Sequence, residues 1–256
     1  GRSGDLRVGP ERVVPLSLAA LEAPRLVEGL ARLLGGGRHR PGRPQFFSLV
    51  GKAAPQDLTE TERQLLSFLA DGPRSLEEIA RRVSWAQVYL SYPNRLEASG
   101  IIQRIGFTPT DALHVLGVYE PWNGEAARLG ATILGRHLEM GAKELAEWVC
   151  DRVTDRLACE IVAQVAADEV GDEKLLEGRG TRFFLDRALH PDRSSALEVR
   201  CALRLPLAAI GAPVGAYFPK VAEKLGVELL IPEHAGVANA IGAASGSVVQ
   251  SVEVLV

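Results

Sequence analysis

The sequence Leu-Pro-Leu-Ala-Ala-Ile-Gly-Ala-Pro-Val-Gly at residues 205–215 decides the fold class. Its apolar half predicts a buried strand, and its glycine-bounded end predicts a turn into a helix. The alternation continues to the C-terminus, with strands and helices predicted over 206–210, 216–225, 227–231, 235–245 and 248–256. Short apolar strands separated by helices are typical of a parallel sheet that is buried on both faces. We therefore expect an α/β lobe at this end of the chain.

The turn at 211–215 is also the part of the chain that most suggests ligand binding. The first N–H groups of a helix have no partner inside the helix, so they can hold a phosphate. Gly211 and Gly215 carry no side chain that would keep a phosphate or a flat adenine ring from the backbone. Pro213 departs from the glycine pattern of dinucleotide-binding loops, and no Gly-Lys-Ser/Thr follows. Two interpretations of this turn therefore remain. It either only packs the helix against the strand, or it contacts a nucleotide outside the carboxyl end of the strand.

Residues 57–107 have the pattern of a small helical module. Two capping boxes, Thr59 with Glu62 and Ser75 with Glu78, predict successive helix starts, and an apolar strand follows a third helical segment. This order of elements indicates a winged-helix-like insert. Such a module can bind DNA or dock a protein, and we favour docking because acidic residues lie among its arginines. The charged residues concerned are Arg81, Arg82, Arg95 and Arg104, with Asp71, Glu77, Glu78 and Glu97.

The chain is predicted to have three parts. We interpret residues 1–56 as the end of a truncated lobe, 57–107 as the insert and 108–256 as the C-terminal lobe. Thr110 is the predicted N-cap of the first helix of that lobe. Helices are predicted over 16–34, 111–117, 124–140 and 142–168, and short strands over 46–50 and 181–185.

Composition narrows the classes of function. The 256 residues are 46% hydrophobic with a formal net charge of -3, so no general basic field attracts nucleic acid or an anionic membrane. No run of 18 apolar residues and no signal peptide is present, so we expect a cytoplasmic protein. Cys150, Cys159 and Cys201 show no paired spacing. We interpret Cys150 and Cys159, which fall within one apolar helical run, as buried free thiols, with a zinc or nucleophilic role as the alternative.

Two separated stretches resemble one protein family. The sequence Phe-Thr-Pro-Thr-Asp-Ala-Leu-His-Val-Leu-Gly at 107–117, followed by Trp122, resembles the Thr-Asp-Ala region of the hydantoinase/oxoprolinase family. Residues 210–215 and 234–243 are similar to the C-terminal part of the same family. The two matches stand in the family's order and together cover residues 107–250.

The resemblance implies an actin-like ATPase fold, in which two ribonuclease-H-like lobes close over ATP and Mg²⁺. Members of this family use ATP to open cyclic amides or imides such as N-methylhydantoin or 5-oxoproline, and relatives carboxylate ketones. A second, larger subunit is a frequent partner. By position, Gly211, Ala212 and Gly215 correspond to the family's adenosine-contact turn, although Ala212 and Pro213 depart from its glycine-rich pattern.

Three further residues are candidates for the site. Asp111 matches the Asp of the Thr-Asp-Ala motif and is the catalytic candidate, although a carboxylate at a helix start also stabilises that helix. His114 lies three residues further on, so both side chains can share one helix face and hold a metal or substrate. For His114 we favour a core histidine, or one that supports a ligand without being one, over direct contact with a metal or substrate. His234, which precedes the final helix of small residues, has the same two interpretations.

The triphosphate chemistry of this fold depends on an Asp-x-Gly-Gly-Thr loop and a second similar loop, and neither occurs in these 256 residues. We therefore expect an ATP-dependent parent protein, with this chain as its C-terminal portion and inactive by itself. The alternative is a non-catalytic scaffold or regulator of the same fold, whose insert docks a protein or nucleic acid. The expected partners are a small cyclic amide or imide, a second hydantoinase-type subunit and a further copy of the chain, but no membrane.

Overall fold

The computed structural model describes residues 12–35, 43–51, 57–82, 92–171, 178–190, 194–211 and 214–245. The chain divides into two compact units, Gly1–Val153 and Thr154–Val256. Both units combine helices with strands, so the predicted α/β class is confirmed. Within the described ranges, no helix has the length and apolar character that crossing a membrane requires.

The first unit is built on a four-stranded sheet. The strand order is β1-β4-β2-β3, with β1 parallel to β4 and the other neighbours antiparallel. In chain order its elements are β1 (Val13–Pro15), α1 (Leu16–Glu22), α2 (Arg25–Gly35), β2 (Gln45–Leu49), α3 (Glu60–Leu69), β3 (Arg74–Ser75), α4 (Leu76–Arg82), α5 (Tyr92–Ala98), β4 (Ile102–Gly106), α6 (Pro109–Val115), α7 (Gly124–Leu138) and the start of α8 (Ala142–Val170).

Strand β2 contributes to two hydrophobic cores because successive side chains of a strand point to opposite faces. Phe46 lies opposite Ile105 and packs with apolar residues of α1, α2 and α7. Phe47 lies opposite Arg104 and packs with leucines and isoleucines of α3, α4 and α5. Both rings are buried, so the sheet has a core on each face.

Strand β2 also joins two parts of the chain that the sequence pattern assigns to different modules. It pairs with β3 at Phe46 and Ser75 and with β4 along its whole length. The helical module predicted to begin at residue 57 therefore shares one sheet with residues 43–51. Because β3 has only two residues and its partner precedes the module, the local sequence pattern does not indicate this pairing.

The two predicted capping boxes are confirmed. Glu62 Oε2 accepts the Thr59 N–H at 2.8 Å, and Thr59 Oγ1 accepts the Glu62 N–H at 3.3 Å. Ser75 and Glu78 make the same reciprocal pair at 2.8 and 3.2 Å. Glu62 is buried and accepts two further hydrogen bonds from Arg95 of α5, at 2.8 Å each. The first box therefore also ties α3 to α5.

The second unit contains a strand-helix-strand arrangement. Helix α10 (Val214–Leu225) connects the parallel strands β5 (Leu207–Ala208) and β6 (Leu229–Leu230). A 3₁₀ turn (Ala235–Val237) and α11 (Ala238–Ser245) follow. The end of α8, helix α9 (Arg179–Leu189) and α10 share a core of buried residues, which are Ala158, Leu189, Val221 and Leu225.

Several local predictions are wrong. Residues 181–185 lie within α9, because Leu185 and Leu189 are one turn apart and pack together into the core of the second unit. The helix predicted over 16–34 is two helices, because Pro24 cannot continue the first. The N-cap of α6 is Thr108 and not Thr110, since Thr108 Oγ1 accepts the N–H of the residue at the third helical position.

The sheet of the second unit is shorter than the sequence predicts. Each strand has two residues, and no third strand pairs with them in the described part of the chain. Ile210, Leu230 and Ile231 are exposed, whereas parallel strands are usually covered on both faces. The terminal strand predicted over 248–256 lies outside the described residues.

Candidate nucleotide-contact turn

Asp111 is fully buried between the starts of two helices. Its Oδ1 accepts hydrogen bonds from Ser17 N–H at 2.8 Å and Ser17 Oγ at 2.6 Å. Its Oδ2 accepts the Thr108 N–H and hydroxyl at 2.8 and 2.9 Å, and the Leu16 N–H at 3.2 Å. The carboxylate therefore completes the capping box of α6 and satisfies the first N–H groups of α1.

The electrostatics of Asp111 reflect this burial. Burial raises the pKa of the Asp111 carboxyl, while the hydrogen bonds from Ser17 and Thr108 act in the opposite direction. Both oxygens are directed at backbone and hydroxyl groups of the protein interior. This geometry supports the helix-stabilising interpretation of Asp111, and it offers no open side of the carboxylate for a metal or substrate.

His114 is buried on the same helix, and both of its ring nitrogens are engaged. Nδ1 lies 2.8 Å from the Thr110 carbonyl oxygen, and Nε2 accepts the Trp122 N–H at 3.2 Å. The imidazole stacks on the Trp122 ring and meets Tyr119 edge-on, both at 5.5 Å between centroids. One donor and one acceptor nitrogen are the pattern of a neutral imidazole. The contacts make His114 a core residue that fixes the loop after α6.

The residues predicted to hold a metal do not fit one in this arrangement. A metal ligand needs a free nitrogen or oxygen, and those of Asp111 and His114 are already used. In the described ranges, no group of three His, Cys, Asp or Glu side chains is placed to share an ion. We therefore assign no Mg²⁺ chemistry to Asp111 or His114.

The glycine turn lies in the second unit, directly after β5. Gly211 has a φ of 118°, which a residue with a side chain rarely adopts. Its N–H donates to the Ala235 carbonyl at 2.8 Å. Ala209, Val214 and Ala235 form a small buried cluster beneath this contact. The structure thus joins the two stretches, 210–215 and 234–243, that share the family resemblance.

Glycines and exposed apolar side chains occur in the two stretches that meet at this turn. A Cβ added at Gly215 or Gly236 would meet nothing within 4 Å. Ile210 precedes Gly211 and Val237 follows Gly236 in the sequence, and their side chains are 58% and 56% exposed. The helix α10 begins here, so the N–H groups of its first turn lack helical partners. The apolar side chains suit the flat face of a ring, and the N–H groups of that first turn can hold an anionic group.

The remaining predicted residues have defined places. His234 is exposed and precedes the 3₁₀ turn, where its backbone carbonyl accepts the Val237 N–H and its side chain makes no capping hydrogen bond. Glu233 beside it is also exposed. Ala212 lies outside the described residues. The segment from Glu233 to Val237 contains no lysine or arginine, so a phosphate would find no positive side chain there.

The sequence did not indicate a charged cluster in the second unit. Asp155 lies 2.9 Å from His190 Nε2 and 3.0 Å from Lys224 Nζ, and His190 Nδ1 lies 3.2 Å from Asp186. Burial raises the pKa of Asp155, but His190 and Lys224 outweigh it and hold that pKa below its ordinary value. Of these pairs, only Asp186 and His190 are close enough in sequence, four residues apart, for the sequence to have indicated their contact. The cluster ties α8, α9 and α10 together.

Comparisons with protein-family models, curated proteins and solved structures give no match. The resemblance to the hydantoinase/oxoprolinase family therefore rests on the sequence stretches quoted above. The stretch at 107–117 forms a helix anchored by its own Thr and Asp, and the two C-terminal stretches meet at Gly211.

Proposed function

We propose that this chain is the C-terminal part of an ATP-dependent amidohydrolase of the hydantoinase/oxoprolinase type, and that its Gly211 turn contacts the adenosine of ATP. The proposal gives the parent protein an actin-like ATPase fold with a ribonuclease-H-like lobe. The observation that carries it is the hydrogen bond from Gly211 to Ala235, which brings the two family-like stretches of the second unit to one surface.

The surroundings of the turn favour the nucleoside over the phosphates. Gly211 and Gly215 leave the backbone open, and the exposed Ile210 and Val237 offer apolar contact to an adenine ring. In the proposed parent protein, the triphosphate and Mg²⁺ bind to the Asp-x-Gly-Gly-Thr loops, which do not occur in these 256 residues. When bound there, ATP would supply the activation that opens a cyclic amide or imide.

The proposal of a winged-helix-like insert is supported by three helices, α3, α4 and α5, that pack with strands β3, β2 and β4. Its role in the proposed parent protein is docking. Arg95 pairs with Glu62, and Arg104 pairs with Glu97 at 2.8 Å. Arg82 lies over the Phe68 ring at 5.1 Å. Arginines engaged in this way offer less charge to DNA phosphates than a free basic face does.

A second candidate is a non-catalytic scaffold or regulator of the same fold. The engagement of Asp111 and His114 favours it, because neither residue is placed to do chemistry. The candidates differ in the parent protein. An amidohydrolase forms ADP together with a ring-opened product from hydantoin or 5-oxoproline, and a scaffold binds nucleotide without forming either.

The turn is tested by calorimetric titration of the chain with adenosine and with ATP. We expect both to bind, with affinities within a few fold of each other because the 233–237 segment contains no lysine or arginine to bind the phosphates. Gly215→Val should abolish binding, since the new side chain enters open space above the turn without disturbing the fold. Gly35→Val, at an equally open glycine of the first unit, is the control. Unchanged binding by the Gly215 variant would exclude this site.

A further inference from the structure

Helix α9 displays two aromatic side chains on its outer side. Phe183 and Phe184 are 48% and 52% exposed, and their rings meet edge-on at 5.5 Å between centroids. The opposite side of the helix is fixed, because Leu185 and Leu189 pack into the core of the second unit. The helix therefore holds two large apolar groups in water, which is unusual for a surface without a partner.

Arginines surround these rings. Arg179 and Arg182 are exposed on the same helix, and the Arg187 guanidinium lies 5.6 Å from the centre of the Phe183 ring. Aromatic residues and arginine are the types enriched at protein interfaces. We call Arg179, Arg182, Phe183 and Phe184 the basic aromatic face.

The end of α8 has the complementary character. Val165 and Val170 are 38% and 63% exposed, and Asp168 and Glu169 are exposed between them. Residues three and four apart lie on one helix face, so Val165 shares a face with both acids. No lysine or arginine occurs from residue 157 to residue 171. We call Val165, Asp168, Glu169 and Val170 the acidic apolar end.

We infer that the basic aromatic face of one copy of the chain binds the acidic apolar end of a second copy, forming a homodimer. Within one copy, α8 and α9 pack through other residues, including Ile161 and Leu185, so both surfaces stay exposed. Two basic aromatic faces would repel each other, whereas opposite charges around apolar centres attract. A twofold axis makes this contact twice and closes the assembly. The inference is independent of the nucleotide proposal.

Sedimentation equilibrium of the full chain over a range of micromolar concentrations tests the dimer. We expect twice the chain mass for the wild type, and a dissociation constant raised roughly a hundredfold by Phe183→Ser with Phe184→Ser. Leu21→Ser is the matched control, because Leu21 is 53% exposed but lies on α1 in the first unit. Thermal unfolding checks that each variant is folded. A wild type that is monomeric throughout, or a dimer that the phenylalanine variant leaves intact, would overturn the inference.

Charge reversal tests which surface is the partner. Arg182→Glu and Glu169→Arg should each weaken the dimer about tenfold, because each places like charges in contact. Mixing the two variants should restore association, since the acid introduced on α9 of one copy then meets the base introduced on α8 of the other. If Glu169→Arg has no effect, or if the mixture stays monomeric, the acidic apolar end is not the occupant of the basic aromatic face.

Discussion

Single side chains position segments that are far apart in sequence. The Asp111 carboxylate accepts hydrogen bonds from Ser17 and from Thr108, so it stabilises the starts of α1 and α6 together. The spacing of Thr108 and Asp111 is a local pattern that sequence reasoning can read. The contact with Ser17 spans 94 residues, and no local signal predicts it. The sequence therefore identified Asp111 as important without showing what it does.

We expect Asp111→Ala to destabilise the first unit by about 2–5 kcal/mol, because buried N–H groups of α1 and α6 lose their acceptor and each such group costs roughly 1–3 kcal/mol. Denaturant unfolding followed by circular dichroism measures this change. Asp111→Asn keeps one acceptor oxygen and should cost less. Adenosine binding in the second unit should survive wherever the variant is folded. A wild-type unfolding midpoint for Asp111→Ala would contradict the structural role.

Glu62 gives the fold a defined acid sensitivity. The hydrogen bonds from Arg95 lower the pKa of Glu62 from 4.5 to about 2. A carboxylate with a depressed pKa stabilises the folded state fully above its unfolded pKa. That stabilisation is then lost as the pH falls from about 4.5 towards 2.

The free energies of unfolding of the wild type and Glu62→Gln should therefore differ near neutral pH and converge as the pH approaches 2. Urea unfolding at a series of acidic pH values gives the comparison. Glu60→Gln is the control, since Glu60 is exposed and makes its pair with the exposed Arg63. If the free energy of unfolding of the Glu62 variant differs from that of the wild type by the same amount at every pH, the Glu62 carboxylate is not the source of the acid sensitivity.

At the scale of elements, sequence patterns succeed where the determinant is local. The two capping boxes of α3 and α4 and the long helix α8 follow from spacing alone. The strand predicted over 181–185 is wrong because the adjacent Phe183 and Phe184 have high strand propensity, while the burial of Leu189 selects a helix. The pairing of β3 with β2 depends on residues nearly thirty positions apart and has no local signal.

Glycines of α7 set how closely its neighbours approach. An alanine methyl group at Gly135 would lie 2.5 Å from the Met140 carbonyl oxygen, which belongs to the backbone. Gly135→Ala should therefore lower the free energy of unfolding by roughly 1–3 kcal/mol. Gly35→Ala, where nothing lies within 4 Å, should be neutral or stabilising. Thermal or urea unfolding compares them, and equal effects of the two would contradict the packing argument.

At the scale of the whole molecule, the division into units separates the predicted site residues. Asp111 and His114 belong to the first unit, and Gly211, Gly215 and His234 belong to the second. The boundary falls within α8, where the sequence shows no change of composition. The turn after an apolar strand was accessible from sequence, whereas its contact with Ala235 was not. The burial of Asp111 and His114 depends on tertiary packing and was not.

The adenosine contact at the Gly211 turn is tested most directly by hydrogen exchange of the chain with and without adenosine, followed by mass spectrometry. We expect slower exchange on adenosine addition at the Gly211 turn, the first turn of α10 and the segment around Ala235, and no change in the first unit. Gly215→Val should remove the protection. Unchanged exchange throughout the second unit, or protection confined to the first unit, would contradict the assignment of the adenosine contact.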